Sequence, residues 1–283
     1  MKIATHFKHN QIKLTMSEDR SEIVRPIIYR EYLLKHFPTT VSSEYKPVDF
    51  IIGFASEDYT PNGEGTGNFH PTWDLDTFSP EKLKKLKERY PHVRVVISIG
   101  GGIGTDSPFN PNEKQTWIAT AVYSLTDIIL GYDDANYKNL IDGIDIHYGN
   151  IKSDDFSYCI GEVIKSLKNN PRLAINVVSI AAGEYTQSYY QKLYMEYRNY
   201  IDLVDYLFTN WGYSMEDFFI FYKKLLDDYS HATLLPGYLE PPFLGDKTKE
   251  IIMYLVKHNS VPGFFTYPAN DDSPVEEDAS KHI

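Results

Sequence analysis

The sequence predicts an α/β protein, a single-domain (β/α)8 TIM barrel, and three observations support this fold class. Eight short apolar runs rich in β-branched residues recur along the 283 residues, and helical patterns separate most of them. The later runs follow one another at roughly 30-residue spacing, as in barrel folds. Several are apolar almost throughout, which is typical of parallel strands covered on both faces. A doubly wound open sheet is the alternative architecture.

Each element has its own local signal. The predicted strands are PIIYREYL (26–33), VDFIIGFA (48–55), VRVVISIGG (93–101), IDGIDIHY (141–148), LAINVVSIA (173–181), LVDYLFTN (203–210), TLLPGYL (233–239) and VPGFFTY (261–267). The first clear helix is 79–90, where Ser79 suits the N-cap and Pro80 the first helical position. Further helical patterns cover 112–132, 154–170, 188–201 and 215–229.

The two ends of the chain depart from an ideal barrel. We expect an N-terminal extension over 1–24, the barrel over 25–270 and an acidic C-terminal tail over 271–283. Too few residues follow the eighth strand for a full eighth helix, so we expect that helix to be short or absent. The resulting hypothesis is that the N-terminal extension covers the seam between strands eight and one.

The composition argues against some partners. The formal net charge is −11, whereas nucleic acids and anionic membranes require clustered Lys and Arg, so we expect no nucleic-acid and no membrane partner. Cys159 is the only cysteine, which excludes an intrachain disulfide. The first 20 residues lack the apolar core of a signal peptide. These features favour the cytoplasm, with the chloroplast as the alternative.

The most specific functional signal lies at predicted strand four. Its motif positions are Asp142, Asp145, His147 and Gly149. The last three share one face of a strand. The SIGG end of strand three, the DGIDIHY segment and VPGFFTY together resemble glycoside hydrolase family 18, the chitinase-like barrels, whose strand-four pattern is D-x-x-D-x-D-x-E. The resemblance extends over nearly the whole chain and is most specific for the legume branch that contains narbonin and the RuBisCO-associated protein.

The resemblance implies a chemistry that this motif cannot perform. In the family, the Glu at the last motif position protonates the glycosidic oxygen, and the Asp two residues earlier orients the substrate's N-acetyl group for attack. Here those positions hold Gly149, which has no side chain, and His147, whose ring cannot replace a carboxylate. Loss of general-acid catalysis alone lowers a rate by about 10² to 10⁴. We therefore predict an inactive homologue with no catalytic residue and no cofactor.

Other residues could form part of a ligand site. The candidates for a sugar groove are Tyr29, Asn210, Trp211 and Tyr267. In the family, a Trp forms the floor of the sugar site where this chain has Tyr267, whose smaller ring can still stack.

Alternative chemical roles are less well supported. Glu57 and Glu184 follow strands two and five and are candidates for a substitute acid, although loop or hydrogen-bonding roles are simpler. Asp145 and His147 form a D-x-H pair. Two ligands without a third do not predict a metal site, so we expect none.

Four functions remain open from the sequence. The first is an inactive barrel acting as a binding protein. Its similarity to the RuBisCO-associated protein, favoured by Gly149 and the short C-terminus, implies ribulose bisphosphate carboxylase as the partner. The second is a storage protein, as similarity to narbonin implies. The third is a lectin for chitin-type N-acetylglucosamine oligosaccharides, and the fourth is an enzyme that still cleaves chitin.

Overall fold

The computed structural model describes residues 26–102, 107–133, 137–209, 214–239 and 246–268. The strands are β1 (Ile27–Tyr32), β2 (Tyr45–Tyr59), β3 (Gly65–Pro71), β4 (Val93–Gly102), β5 (Gly143–Tyr148), β6 (Val177–Gly183), β7 (Leu203–Leu207), β8 (Thr233–Leu239) and β9 (Gly263–Tyr267). The helices are α1 (Pro80–Arg89), α2 (Lys114–Leu130), α3 (Phe156–Lys168), α4 (Gln187–Tyr197), α5 (Met215–Asp228) and α6 (Asp246–Lys257).

Eight parallel strands form a closed barrel. Around the ring their order is β1, β2, β4, β5, β6, β7, β8 and β9, and the ring closes because β1 pairs with both β2 and β9. All eight predicted strands are present. The prediction of a (β/α)8 barrel is confirmed, and the open sheet is excluded because a doubly wound sheet would leave two barrel strands with free edges.

The sequence did not predict β3. Past its barrel portion, β2 runs on to Tyr59 and pairs with β3 in the antiparallel direction. The segment GTGNFHP is rich in glycine and polar residues, which carry little strand signal. Contacts with α2 hold it in place: the ring of Phe69 meets that of Trp117 edge to face, and the Phe69 amide donates to the Ser124 hydroxyl at 3.1 Å.

The helices lie outside the ring, in the connections between strands. The patterns at 79–90, 112–132, 154–170, 188–201 and 215–229 correspond to α1 through α5, and α4 gives way early to a 3-10 turn at Arg198–Tyr200. The connection 33–44 contains no helix, which fits its Pro38 and its run of β-branched and short polar residues. Within the described ranges, no helix has the length and apolar character needed to cross a bilayer.

The predictions for the chain ends concern residues 1–25 and 269–283, which lie outside the described residues. The N-terminal extension, the acidic tail, the shortened eighth helix and the covered seam therefore stay predictions.

Side chains alternate between two cores. The lumen, meaning the interior of the ring, holds an apolar cluster: Tyr32, Ile51, Val96, Val177, Ala181, Leu203, Leu207, Leu235 and Phe265. A larger core fills the space between strands and helices. On β5, Asp145 and His147 face the lumen, whereas Ile144 and Ile146 pack in the outer core. The face predicted for the strand-four motif is thus the inner one.

A pair of glycines in the β2–β3 hairpin provides a test of its packing. Gly63 and Gly67 both have φ of 76°, so either would be strained by a side chain. A methyl group at Gly67 would also overlap the carbonyl oxygen of Trp117, whereas one at Gly63 would meet nothing within 4 Å.

We therefore expect Gly67→Ala to lower the free energy of unfolding by more than Gly63→Ala does. The Gly63 variant bears only the backbone strain of about 1 kcal/mol, and the Gly67 variant adds an overlap that costs about 1 to 3 kcal/mol more. Urea denaturation of both variants measures the difference. Equal losses would show that β3 does not pack firmly on α2.

Candidate functional site

Asp145 lies at the centre of the lumen and is completely buried. Its carboxylate accepts hydrogen bonds from three hydroxyl groups: Tyr32 at 2.9 Å, Ser98 at 2.8 Å and Ser179 at 2.6 Å. Those donors belong to β1, β4 and β6. The carboxylate on β5 therefore connects four strands of the barrel, and its oxygen atoms are used within the protein.

A buried arginine lies beside this carboxylate. Arg30 donates from Nη1 to Oδ2 of Asp49 at 2.6 Å and from Nη2 to the Ser179 hydroxyl at 2.7 Å. Its Nε lies 3.0 Å from Oδ2 of Asp205, as an ion pair without the alignment of a hydrogen bond. Burial by itself lowers the pKa of Arg30, but Asp205 and Asp49 outweigh it and hold this pKa above its ordinary value. The guanidinium therefore stays charged.

Asp205 and Asp145 are linked through one tyrosine. The Tyr32 hydroxyl lies 2.6 Å from Oδ2 of Asp205 and 2.9 Å from Oδ1 of Asp145. Burial raises the pKa of Asp205 to about 7, with Arg30 opposing the shift and Asp145 adding to it. The Tyr32 hydroxyl has a single proton and can donate it to only one of the two carboxyl groups. A protonated Asp205 would donate to the Tyr32 oxygen, so that both contacts would be hydrogen bonds. This arrangement limits the negative charge that the lumen must hold.

His147 lies above Asp145 on the same strand face and is 4% exposed. Its ring is surrounded by those of Tyr32, Phe54 and Tyr267, with centroid distances of 5.8, 5.8 and 5.2 Å. Its Nδ1 is buried and has no hydrogen-bond partner among the residues that the structure describes. Burial lowers the pKa of His147 and outweighs the opposite influence of Asp145. The imidazole is therefore neutral near pH 7, unlike the carboxylate expected at this position in the family pattern.

The remaining motif positions lie at opposite ends of β5. Asp142 precedes the strand and accepts from Nζ of Lys87 at 2.7 Å and from the Val95 amide at 2.7 Å. Burial raises the pKa of Asp142, and Lys87 opposes that shift. Asp142 thus ties α1 to the sheet, far from the other end of the barrel. Gly149 lies just past β5, where its amide donates to the Gly102 carbonyl at 3.2 Å.

The candidate substitute acid Glu57 makes its hydrogen bonds outside the lumen. Glu57 is buried in the outer layer, where it accepts from the Trp117 indole, from the Gly67 amide at 2.9 Å and from the Tyr148 hydroxyl at 3.3 Å. Burial raises the pKa of Glu57, and these hydrogen bonds oppose the shift. Glu57 therefore joins the β2–β3 hairpin to α2 and β5. Glu184 lies just past β6 and is half-buried.

Of the two predicted groove residues that the structure describes, Tyr267 lies at the site and Tyr29 does not. The half-buried ring of Tyr267 lies at the mouth, meaning the end of the barrel where β2, β4, β5 and β9 reach their carboxyl termini. Tyr29 is a correction: it is fully buried in the outer core against Tyr45 and Phe264, because alternate residues of β1 face away from the lumen. Asn210 and Trp211 lie outside the described residues.

Three charged residues of the network around Asp145 were not predicted as site residues. Arg30, Asp49 and Asp205 each interrupt an apolar strand, and a charge inside such a strand is a signal of buried pairing. The signal was present, but it could not show which strands would bring the partners together. Among the described residues, no group of three or more His, Cys, Asp or Glu side chains is placed to hold a metal ion.

Similarity to known proteins extends over most of the chain. Chitinase 1 from Tulipa saxatilis subsp. bakeri is 31% identical over 266 residues, which is 87% of this chain and 81% of the tulip protein. The RuBisCO-associated protein from Glycine max is 31% identical over 169 residues, 55% of either chain. No protein-family model matches the sequence.

Solved structures share the fold at comparable identity. A family 18 chitinase from Crocus vernus superposes with a TM-score of 0.71 and 27% identity, covering 85% of this chain and 92% of the crocus chain. The catalytic domain of a GH18 chitinase from the fern Peteris ryukyuensis gives a TM-score of 0.68 and 28% identity, covering 86% of this chain and 92% of the fern chain.

The hydrogen bonds of Asp145 predict a large effect of its removal. We expect Asp145→Ala to lower the free energy of unfolding by roughly 2 to 4 kcal/mol, because three buried hydroxyl groups lose their acceptor and Arg30 loses a nearby negative charge. The control is Asp154→Ala, which removes an exposed carboxylate and should change stability by about 0.5 kcal/mol or less. Thermal and chemical denaturation measure both. Similar stability of the two variants would contradict the central role given to Asp145.

Proposed function

The chain belongs to glycoside hydrolase family 18, the chitinase-like barrels, and on that premise we propose that it acts by binding rather than by cleaving a glycosidic bond. The observation that carries the proposal is the pair of residues at the two motif positions where the family pattern has acids. His147 is neutral and buried, and Gly149 has no side chain. Neither can donate a proton to a leaving oxygen or orient an N-acetyl group as a carboxylate does.

The surviving acids do not compensate for these losses. Asp145 has hydrogen bonds from three protein hydroxyl groups, and Asp205 contacts Arg30 and Tyr32. Both are fully buried beneath His147. Glu57 accepts hydrogen bonds in the outer layer, from the Gly67 amide among others. A general acid must come within hydrogen-bond reach of the bond that it protonates. Within the part of the chain described, the carboxyl groups nearest the motif are occupied by structural contacts.

We propose ribulose bisphosphate carboxylase as the partner of this barrel. Support comes from the similarity to the soybean RuBisCO-associated protein, which extends over about half of each chain. The net charge of −11 favours a protein partner over nucleic acid, because a surface that binds nucleic acid must neutralise phosphate groups with Lys and Arg. A chitin-type oligosaccharide is the second candidate ligand, favoured by the half-buried ring of Tyr267 at the mouth.

The catalytic prediction is that the purified protein releases no product from labelled N-acetylglucosamine oligomers above a protein-free blank. The double variant His147→Asp/Gly149→Glu restores both acids to the motif. We expect measurable hydrolysis from the double variant if the surrounding groove is intact. Hydrolysis by the unmodified protein that Asp145→Asn abolishes would refute the proposal.

The partner prediction is tested with leaf extract. Immobilised protein should enrich the carboxylase over a control bait of matched charge, such as an active family 18 chitinase domain brought to the same net charge. We expect the retained carboxylase to elute as salt is raised if charged contacts contribute to the interface. Equal recovery on both baits would eliminate this partner and leave the oligosaccharide as the candidate ligand.

A further inference from the structure

We infer that His147, together with Tyr32, Phe54 and Tyr267, forms a plug that closes the lumen carboxyl groups off from the mouth and so restricts the ligands that this barrel can take. A ligand would lie on the half-buried rings of Phe54 and Tyr267 at the outer face of the plug. It would not contact the buried imidazole of His147 or insert a polar group between Asp145 and Asp205. This inference rests on the proposed binding function and specifies its geometry.

Ring contacts on three sides form the plug. The imidazole of His147 meets the rings of Tyr32, Phe54 and Tyr267 edge to face, at centroid distances between 5.2 and 5.8 Å. Tyr32 is fully buried below, and Tyr267 and Phe54 are half-buried above. The Tyr32 hydroxyl contacts the carboxyl groups of both Asp145 and Asp205. The plug therefore rests directly on the charged network.

The end of β4 closes the plug from the side. A methyl group at Gly102 would come within 2.6 Å of the Tyr267 hydroxyl oxygen and within 2.8 Å of the Phe54 ring, so the backbone there lies against both rings. Gly102 has φ of 72°, a conformation that suits glycine and allows this close approach. A side chain at position 102 would therefore collide with the plug.

The neutral state of His147 is what allows it to fill this space. Its Nδ1 has no partner among the described residues and no solvent contact, so a charged ring would be buried without a counterpart for that nitrogen. A carboxylate at the same position would stand two residues from Asp145 on one strand face, and burial of two like charges is costly. A neutral ring avoids both penalties. The imidazole of His147 thus fills the space between the mouth and the lumen.

Removing the ring should open the lumen. His147→Ala deletes the imidazole and leaves a cavity bounded by Phe54, Tyr267 and Tyr32, with Asp145 beneath. Rigid surrounding strands collapse only partly around such a deletion. The control is Tyr123→Ala, which removes an aromatic ring that is 70% exposed on α2, in the outer layer and away from the mouth.

The test uses chitotriose, the trimer of N-acetylglucosamine, as the probe, with isothermal titration calorimetry and imidazole ¹⁵N NMR. In the unmodified protein, saturating sugar should leave the His147 nitrogen shifts unchanged, and those shifts should report a neutral ring at pH 7. His147→Ala should bind the trimer at least about tenfold more tightly, which corresponds to about 1.4 kcal/mol. Tyr123→Ala should match the unmodified protein.

Two results would overturn the inference. The first is a change in the His147 nitrogen shifts on sugar addition, because it would place the ligand in contact with the ring at the level of the plug. The second is equal affinity, or equal lack of affinity, in the unmodified protein and His147→Ala. If His147→Ala does not fold, His147→Asn keeps a polar planar group of smaller size, and the NMR measurement on the unmodified protein decides the matter. Neither result bears on hydrolysis or on carboxylase binding. The proposed function is tested separately, by the hydrolysis assay and the leaf-extract experiment.

Discussion

The burial of Asp145 inside the barrel is the constraint on which the rest of the lumen depends. A carboxylate that loses water must recover its hydrogen bonds from the protein, and here three hydroxyl groups from three other strands supply them. Two of these donors have a second contact: Ser179 accepts from Arg30, and Tyr32 reaches Asp205. A change at this carboxylate therefore affects several strands at once.

Charge balance explains why the network extends so far. Arg30 lies between Asp49 and Asp205, and Arg94 adds a bidentate contact to Asp49 at 2.6 and 2.8 Å. Buried ion pairs contribute little net stability, but removing one partner leaves an unpaired charge and is strongly destabilising. Substitution of any single charged member of the network should therefore destabilise the barrel.

Asp142 and Asp145 have structural contacts that do not require catalysis, because one ties α1 to the sheet and the other connects lumen strands. Positions 147 and 149 lie toward the mouth, and there the residues are a neutral, buried ring packed against three others and a glycine. The proposed binding role at the mouth would use the same scaffold and would need no proton donor.

The sequence by itself determined the barrel, its eight strands and the altered motif, because strand runs, helix signals and motif spacing are local properties of the chain. It also predicted that Asp145 and His147 share a face. Only the tertiary structure decided the direction and partners of other side chains. Tyr29 turned out to face the outer core, Glu57 to serve α2, and β3 to pair outside the ring. Tyr32 meets Asp145 and Asp205 across 113 and 173 residues of chain, and contacts at such separations depend on ring closure, which no local pattern records.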